Sequence, residues 1–183
     1  MAVGDVTGDG LKEIVAVSLS GSYGWDAQVV VYNRRGEMLP GFPVLMASTS
    51  VQSIALVDVD LDGRRDIVLT AMWQTGDVNS GKVVVRAYDS HGGLVREWVT
   101  SGKTKRGAAI LSTAIGDVDG DCLQDMWLVT LNEGPGSSSD FPAGHLLSGA
   151  GGYALGRPIE TGYFQNPAGR SSSQIWTAMA RRS

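Results

Sequence analysis

The chain is poor in cysteine, in histidine and in long apolar runs. Cys122 is the single cysteine among 183 residues, so no disulfide can form within the chain and cysteine usage leaves the redox compartment open. No apolar run approaches the 18 or more residues of a membrane span, so none is expected. His91 and His145 lie more than fifty residues apart without an acid–base partner at motif spacing. We therefore expect them to be turn and strand residues, and we identify no catalytic residue.

Basic residues form no nucleic-acid signature. The run Lys103–Arg106 is short and lies between glycines, which favours a solvated hairpin tip over a phosphate-binding site. With a net charge of −4, we expect no nucleic-acid partner. Met1 runs directly into an acidic stretch, so we expect no signal peptide in this chain.

Glycine, by contrast, is abundant. The 25 glycines, together with short clusters of Val, Ile and Thr, indicate many short strands joined by turns. A hydrophobic content of 43% is enough for the core of one medium-sized domain. We therefore treat residues 1–183 as one unit.

Acidic residues are concentrated in three nine-residue loops, which contain 11 of the 19 Asp and Glu residues. Loop 1 is 5–13, loop 2 is 58–66 and loop 3 is 117–125, and each is followed by an apolar run. Within each loop, numbered 1 to 9, acidic residues occupy positions 1, 5 and 9. Position 3 is acidic in two loops and a threonine in the first, and position 6 is glycine in two of the three.

This spacing favours calcium binding. Calcium takes six to eight oxygen ligands, which alternate inward-facing carboxylates can supply. A glycine at position 6 permits the sharp turn because it adopts positive φ without steric cost. The residues between the ligands, such as Val59, Leu61 and Arg65, are then expected to point outward and to be free to vary.

Two other readings compete with calcium. Asp-Gly stretches between strands are often plain turns, but three copies with the same spacing and the same following strand favour a metal. An EF-hand would need a bidentate Glu at position 12, where this chain has Ala16, Leu69 and Leu128. The EF-hand interpretation is therefore rejected.

The loops recur with the spacing of a repeat protein. They begin 53 and 59 residues apart, in the range of propeller blades. In the second repeat the pattern predicts four strands, the content of one blade: 51–57, 66–73, 82–88 and 93–99. We predict an all-β fold of three four-stranded antiparallel blades forming part of a β-propeller, with repeats at about 1–47, 48–106 and 107–170.

The other repeats follow the same plan with changes. In the first we predict a strand at 28–32, a turn at 33–36 and an outer strand at 38–43, which Pro40 and Pro43 confine to a sheet edge. In the third we predict a long connection at 133–140, then strands at 145–147 and 152–159.

The stretch from Ile54 to Gly63, followed by Asp66–Leu69 and Gly81–Val85, resembles the FG-GAP (VCBS-like) repeat, the calcium-loop blade of integrin α-subunit propellers and of many bacterial secreted proteins. The resemblance extends over nearly the whole chain as three repeats. It implies a calcium-binding propeller with up to three structural Ca²⁺ ions. The implied ligands are the side chains at positions 1, 3, 5 and 9 and the carbonyl at position 7: Asp5, Thr7, Asp9, Leu11 and Glu13; Asp58, Asp60, Asp62, Arg64 and Asp66; Asp117, Asp119, Asp121, Leu123 and Asp125.

Loops 1 and 3 depart from the pattern. Thr7 leaves loop 1 with three carboxylates instead of four. Cys122 stands where glycine is expected in loop 3, and a non-glycine residue in a left-handed conformation costs about 1–2 kcal/mol. We predict that loop 2 binds calcium most tightly.

The blades are out of phase with the ends of the sequence. Residues 171–180 align with the strand that precedes each loop, as a closing or next-blade strand, but no fourth acidic loop follows. Closed propellers have about four to eight blades. We therefore expect the chain to be a segment of a larger propeller, or to self-associate into a six-blade ring.

Two classes of function fit these features. One is a non-catalytic extracellular module, secreted or at the cell surface, that recognises a protein or a glycan. The other is the propeller part of a secreted enzyme, such as a polysaccharide lyase or hydrolase. Trp25 and Trp73, near loop entries, are the better candidates for stacking on a sugar, whereas Trp127 and Trp176 are expected in the core. Because folds of this kind host many functions, the ligand stays unassigned.

Overall fold

The structure is a computed structural model that describes residues 1–20, 26–74, 81–100, 110–133, 140–150 and 159–160. These residues form twelve β-strands and no helix, so no helix in them could cross a membrane. The strands are β1 (Ala2–Gly4), β2 (Glu13–Ser20), β3 (Asp26–Tyr32), β4 (Val44–Met46), β5 (Thr49–Val57), β6 (Asp66–Gln74), β7 (Gly81–Tyr88), β8 (Leu94–Val99), β9 (Ile110–Gly116), β10 (Asp125–Glu133), β11 (Asp140–Leu147) and β12 (Ile159–Glu160).

Consecutive strands pair into three separate antiparallel sheets of four strands each. Their orders are β1-β2-β3-β4, β5-β6-β7-β8 and β9-β10-β11-β12. Each sheet is an up-and-down meander, the architecture of a propeller blade. The predicted all-β fold is confirmed, and we refer to the sheets as blades 1, 2 and 3.

The outer strand predicted at 38–43 in blade 1 is wrong. The fourth strand lies at Val44–Met46, after the second proline, and Met38 forms only an isolated bridge to Tyr32. The residues between them turn, with the N–H of Phe42 donating to the carbonyl of Leu39 at 3.3 Å. Prolines cannot donate to a ladder, so pairing resumes only after both have passed.

In blade 3 the third strand is longer than predicted. It begins at Asp140 and pairs with β10 from Glu133 to Met126, whereas the prediction began at His145. Pro142 lies in the paired region. Because proline cannot donate to a strand ladder, its presence made a strand at this position unexpected. Residues 101–109, 134–139, 151–158 and 161–183 lie outside the described residues, and with them the basic run, most of the strand predicted at 152–159 and the alignment at 171–180.

The blades pack face to face through two apolar clusters. In β6, Ile67, Leu69 and Ala71 pack toward blade 1, while Val68 and Met72 pack toward blade 3. This alternation follows from the two-residue period of a strand, and blade 2 is therefore buried on both faces. Each fully buried Val, Leu or Ile side chain contributes roughly 1.5–3 kcal/mol.

Blades 1 and 2 also meet at their outer turns. Gly41 has φ of 89°, and a Cβ at this position would collide with the backbone carbonyl of His91. Gly92, with φ of 77°, faces the carbonyl of Gly41 in turn. Glycine at these positions allows the two backbones to touch.

Candidate metal centre

The fifteen predicted ligands lie at the same place in each blade, where the first strand turns into the second. Loops 1, 2 and 3 join β1 to β2, β5 to β6 and β9 to β10. Position 9 is the first residue of the second strand in each case: Glu13, Asp66 and Asp125. The antiparallel pairing of the two strands thus brings both ends of every loop together.

The carboxylate at position 1 organises the loop from inside. Asp5, Asp58 and Asp117 each accept a hydrogen bond from the backbone N–H of position 6, at 2.8, 3.0 and 3.0 Å. The position-4 N–H groups of Gly8 and Gly120 donate to the other oxygen of Asp5 and Asp117, both at 2.7 Å. The chain therefore curls around a carboxylate in all three loops.

The carboxylates at positions 3 and 5 make shorter-range contacts. At position 5, Asp9, Asp62 and Asp121 accept the N–H of position 7 at 2.8, 2.7 and 2.8 Å. At position 3, Asp60 and Asp119 accept the N–H of position 5 at 3.2 and 3.1 Å. These contacts are Asx turns, which set the alternate residues of the loop facing inward.

The carboxylate at position 9 closes the loop. Glu13, Asp66 and Asp125 are buried, and each accepts the backbone N–H of position 2, at 3.0, 2.9 and 2.9 Å. The longer Glu13 side chain makes the same bond as the two aspartates. An acidic residue at position 9 therefore closes the loop by a hydrogen bond, in addition to its predicted role as a metal ligand.

Position 2 corrects the expectation that residues between the ligands are free to vary. Val6 and Val59 are only 0% and 1% exposed, because each packs into the cluster shared with the following blade. Val118, at the same position in loop 3, is 66% exposed. The residue at position 2 is thus a core residue wherever the structure describes a following blade.

Two positions in each loop are left-handed, not one. Cys122 has φ of 70°, as its glycine-like position predicts, and Leu61 at position 4 has φ of 64°. Leu61 was expected to tolerate any residue, but its backbone conformation favours glycine. The other members of the two positions are Gly8 (76°), Gly10 (83°), Gly63 (86°) and Gly120 (83°).

Carboxylate oxygens converge in loops 2 and 3. One oxygen from each of Asp58, Asp60 and Asp66 lies within 4.8 Å of the others, and Asp117, Asp119 and Asp125 form the same group. Among the described residues these are the two groups of this kind, so the acidic residues of loop 1 do not converge to the same extent. Thr7, which replaces the third carboxylate, accounts for the difference.

Buried oxygens without partners occur at the same sites. Within the described residues, Asp58 Oδ1 and Thr7 Oγ1 are buried and have no hydrogen-bond partner. In loop 2 the residue at position 4 does not donate to Asp58 as its counterparts do in the other loops. A buried carboxylate oxygen without a donor is unfavourable unless a cation or another donor meets it.

Charge repulsion is visible in loop 2. Burial raises the pKa of Asp66 to about 6, and the neighbouring carboxylates of Asp60, Asp62 and Asp58 add to the rise, against the opposing N–H of Val59. In loop 1, burial also acts to raise the pKa of Asp5, but backbone N–H groups led by that of Gly10 lower it overall. Positive charge added to loop 2 would therefore relieve repulsion among its carboxylates.

The remaining candidates occupy structural positions. His145 is buried with Nε2 at 3.0 Å from Thr130 Oγ1, and burial lowers its pKa. His91 lies in an outer turn beside Ser90, with a 3.2 Å contact to its hydroxyl. Trp73 packs against the core between blades 1 and 2, which limits the ring face open to a sugar. Trp25 and Trp176 lie outside the described residues.

Sequence reasoning missed one group beside these loops. Lys12, Arg64 and Arg65 line a cavity between loops 1 and 2, together with residues of both. Arg64 and Arg65 follow each other in the motif, but Lys12 lies 52 residues before Arg64 in the sequence. No signal within one loop could have revealed that these residues line the same cavity.

Comparison with known proteins agrees with the resemblance for blade 2. The family model of the FG-GAP repeat matches residues 50–85, which run from β5 through loop 2 and β6 into β7. No curated protein and no solved structure matches the chain. Residues 50–85 thus match the FG-GAP repeat, and the matched segment contains one of the two convergent carboxylate groups.

Proposed function

We propose that the chain is a calcium-binding β-propeller module whose loops hold up to three structural Ca²⁺ ions. The observation that carries the proposal is in loop 2. There, one carboxylate oxygen of Asp58 is buried without a hydrogen-bond partner, and Asp58 belongs to the convergent carboxylate group that it forms with Asp60 and Asp66.

The donor set fits calcium. Two ligands of one ion, each about 2.3–2.6 Å from it, lie at most about 5 Å apart. The 4.8 Å grouping in loops 2 and 3 satisfies this limit. All proposed donors are oxygens, which suit a hard cation and disfavour zinc or copper. The ion would supply positive charge to each loop and no reactive group.

We propose that loop 2 binds most tightly. It combines four carboxylates with an unpartnered buried oxygen. In loop 3 both oxygens of Asp125 accept backbone N–H groups, from Val118 and from Gly149 at 2.8 Å, which leaves fewer lone pairs for a metal. Loop 1 has Thr7 in place of a carboxylate.

The test is isothermal titration of the chelator-treated protein with calcium. Wild type should bind up to three ions, and Asp58→Asn should remove the tightest one. Asp89→Asn is the matched control, because Asp89 is an aspartate in an outer turn that accepts the N–H groups of His91 and Gly93. An absence of heat at millimolar calcium, or equal effects of the two variants, would contradict the proposal.

We further propose that the module acts outside the cell, secreted or at the cell surface, in recognition of a protein or a glycan and without catalysis. Extracellular calcium modules work with dissociation constants of about 10⁻⁴–10⁻³ M, which exposed loops of this type can reach. Burial of His145 supports a structural role for that residue. The alternative is a propeller that forms part of a secreted polysaccharide lyase or hydrolase. Glycan-array binding without product release favours recognition, and cleavage of an arrayed glycan favours the enzyme.

The outer faces of the end blades support a further proposal about partners. Val118 is 66% exposed where its counterparts are buried, and Ile14 and Leu45 of blade 1 are 42% and 69% exposed. We propose that each of these faces packs against another calcium-loop blade, from a second copy or from additional chain. We expect this packing to resemble the apolar contacts that join blade 1 to blade 2 and blade 2 to blade 3.

Light scattering after size-exclusion chromatography tests this packing. A dimer that Val118→Asp dissociates indicates a second copy. Leu94→Asp in the middle blade is the control, since Leu94 is 55% exposed on an outer strand away from the end faces. A monomer whose stability and solubility are the same with and without Val118→Asp would contradict the proposal.

A further inference from the structure

A cavity of about 320 Å³ lies between loops 1 and 2. Its volume is at the lower end of the roughly 300–1,000 Å³ typical of small-molecule sites. Its walls come from both blades: Val3, Gly4, Asp5, Gly8, Lys12, Gly63, Arg64 and Arg65. The cavity therefore exists only because blades 1 and 2 are packed together.

The lining is strongly cationic. Lys12, Arg64 and Arg65 contribute three positive charges, against the single carboxylate of Asp5. Among the described residues the one ion pair is Arg86–Glu97 on blade 2, so none of the three cations is paired there. The oxygens of Asp5 accept the N–H groups of its own loop. No carboxylate in the described part of the chain therefore forms an ion pair with these cations.

Two glycines on the blade 1 side face side chains of blade 2. A Cβ on Gly8 would lie 3.2 Å from Arg64 Cγ, a tight contact. A Cβ on Gly4 would lie 2.7 Å from Leu56 Cδ1, and 3.4 Å from Arg65 Nη1, an ordinary contact distance. Gly8 is also left-handed, with φ of 76°. The two arginine side chains therefore extend from loop 2 across the backbone of blade 1, which holds them at the cavity wall.

The equivalent positions between loops 2 and 3 have a different chemistry. Val57 and Leu61 replace the two glycines, and Leu123 and Gln124 replace the two arginines. At the second junction Arg65 takes the position of Lys12, but neither the glycines nor the pair of arginines is repeated. The cationic cavity is thus a feature of one junction and not a general consequence of the repeat.

We propose that this cavity binds an oxyanion: a carboxylate, sulfate or phosphate group on a small ligand. Guanidinium groups match such anions because their planar N–H donors pair with two oxygens at once. Lys12 adds a third positive charge from loop 1. Gly4, Gly8 and Gly63 in the lining have no side chains, so an anion could approach the backbone there. The proposal does not depend on calcium in the loops.

The test is calorimetric titration with sodium glucuronate, sulfate and inorganic phosphate at fixed ionic strength, with sodium chloride as the screening control. Sulfate and glucuronate are titrated both with calcium and in chelator, and phosphate in chelator only. We compare wild type with Lys12→Gln/Arg65→Gln, which changes no proposed calcium ligand. Arg34→Gln/Arg35→Gln is the matched control, because it removes two adjacent arginines from an exposed turn of blade 1.

We expect saturable binding of at least one probe by wild type and by the control. Affinity should fall by about tenfold or more in Lys12→Gln/Arg65→Gln, the effect of losing charge-assisted contacts. The probe that binds best identifies the anion. If the double variant does not fold, Lys12→Gln alone, at an exposed position, should still weaken binding several-fold. Equal binding by both double variants, or no saturable binding by wild type, would overturn the proposal, whatever the calcium titration gives.

Discussion

Position 6 of the acidic loops allows backbone strain to be measured without interference from packing. Gly63 in loop 2 has φ of 86°, and a Cβ added there would meet nothing within 4 Å. Cys122 in loop 3 has φ of 70° and an exposed side chain. A side chain can therefore be added at Gly63, or removed at Cys122, with little effect on packing, so that the main change is in backbone strain.

The size of the effect follows from this open space. Gly63→Ala should lower the free energy of unfolding by about 0.5–1 kcal/mol. A left-handed non-glycine residue costs about 1–2 kcal/mol, no steric term is added, and the stiffer unfolded chain offsets about 0.4–1 kcal/mol. Cys122→Gly removes the same strain but frees the unfolded chain, which offsets about 0.4–1 kcal/mol. Its net gain should be about 0.5–1 kcal/mol. Cys122→Ala keeps the Cβ and should stay within about 0.5 kcal/mol of wild type.

Urea unfolding followed by tryptophan fluorescence, in saturating calcium and in chelator, measures these differences. In thermal scans, 1 kcal/mol corresponds to a shift of about 2–4 °C for a chain of this size. The reasoning is refuted if Gly63→Ala leaves stability unchanged, or if Cys122→Ala stabilises as much as Cys122→Gly. The second result would mean that the thiol, not the backbone, is the unfavourable feature of loop 3.

Two further predictions concern blade packing and pH. Gly41→Ala should destabilise by about 3 kcal/mol or more in urea unfolding, because strain adds to a collision with the His91 carbonyl. Gly36→Ala, left-handed at φ of 78° but in open space, should cost only about 0.5–1 kcal/mol, and equal losses would refute the contact. In chelator, Asp66 with its pKa of about 6 against 3.8 should make the free energy of unfolding rise as pH falls from about 6 toward 4. Burial lowers the pKa of His145 from 6.5, so His145 should make the free energy of unfolding fall as pH drops below about 6.5. Urea titrations at a series of pH values measure both effects. Asp66→Asn should abolish the rise toward low pH and His145→Gln should abolish the fall, and an effect that survives its variant would contradict the assignment.

The blade and loop pattern could be predicted because its signals are local. A nine-residue spacing of carboxylates and a two-residue alternation of apolar side chains each describe contacts within one loop or strand. The strand at Asp66–Gln74 was therefore expected to within a residue. The outer strand of blade 1 was misplaced because the prediction treated two prolines as compatible with an edge strand, whereas regular pairing begins only after Pro43, at Val44.

Two other features could not be predicted, for different reasons. Leu61 gives no sequence signal for a left-handed backbone, which its own loop imposes on it. The cavity lined by Lys12, Arg64 and Arg65 depends on two blades at once, because its side chains come from separate repeats. A single repeat read by itself does not contain this cavity.

The valine at position 2 connects the loops to the packing of the blades. Its backbone N–H donates to the position-9 carboxylate, while its side chain is buried against the next blade at Val6 and Val59. The carboxylate of a proposed calcium ligand therefore orients the residue that joins one blade to the following one. A cation that fixes this carboxylate would stiffen the interface as well as the loop, so calcium at loop 2 should stabilise the contact between blades 2 and 3. At Val118 the same hydrogen bond is present and the side chain is exposed, so the packing of another blade that we propose for this face would bury it.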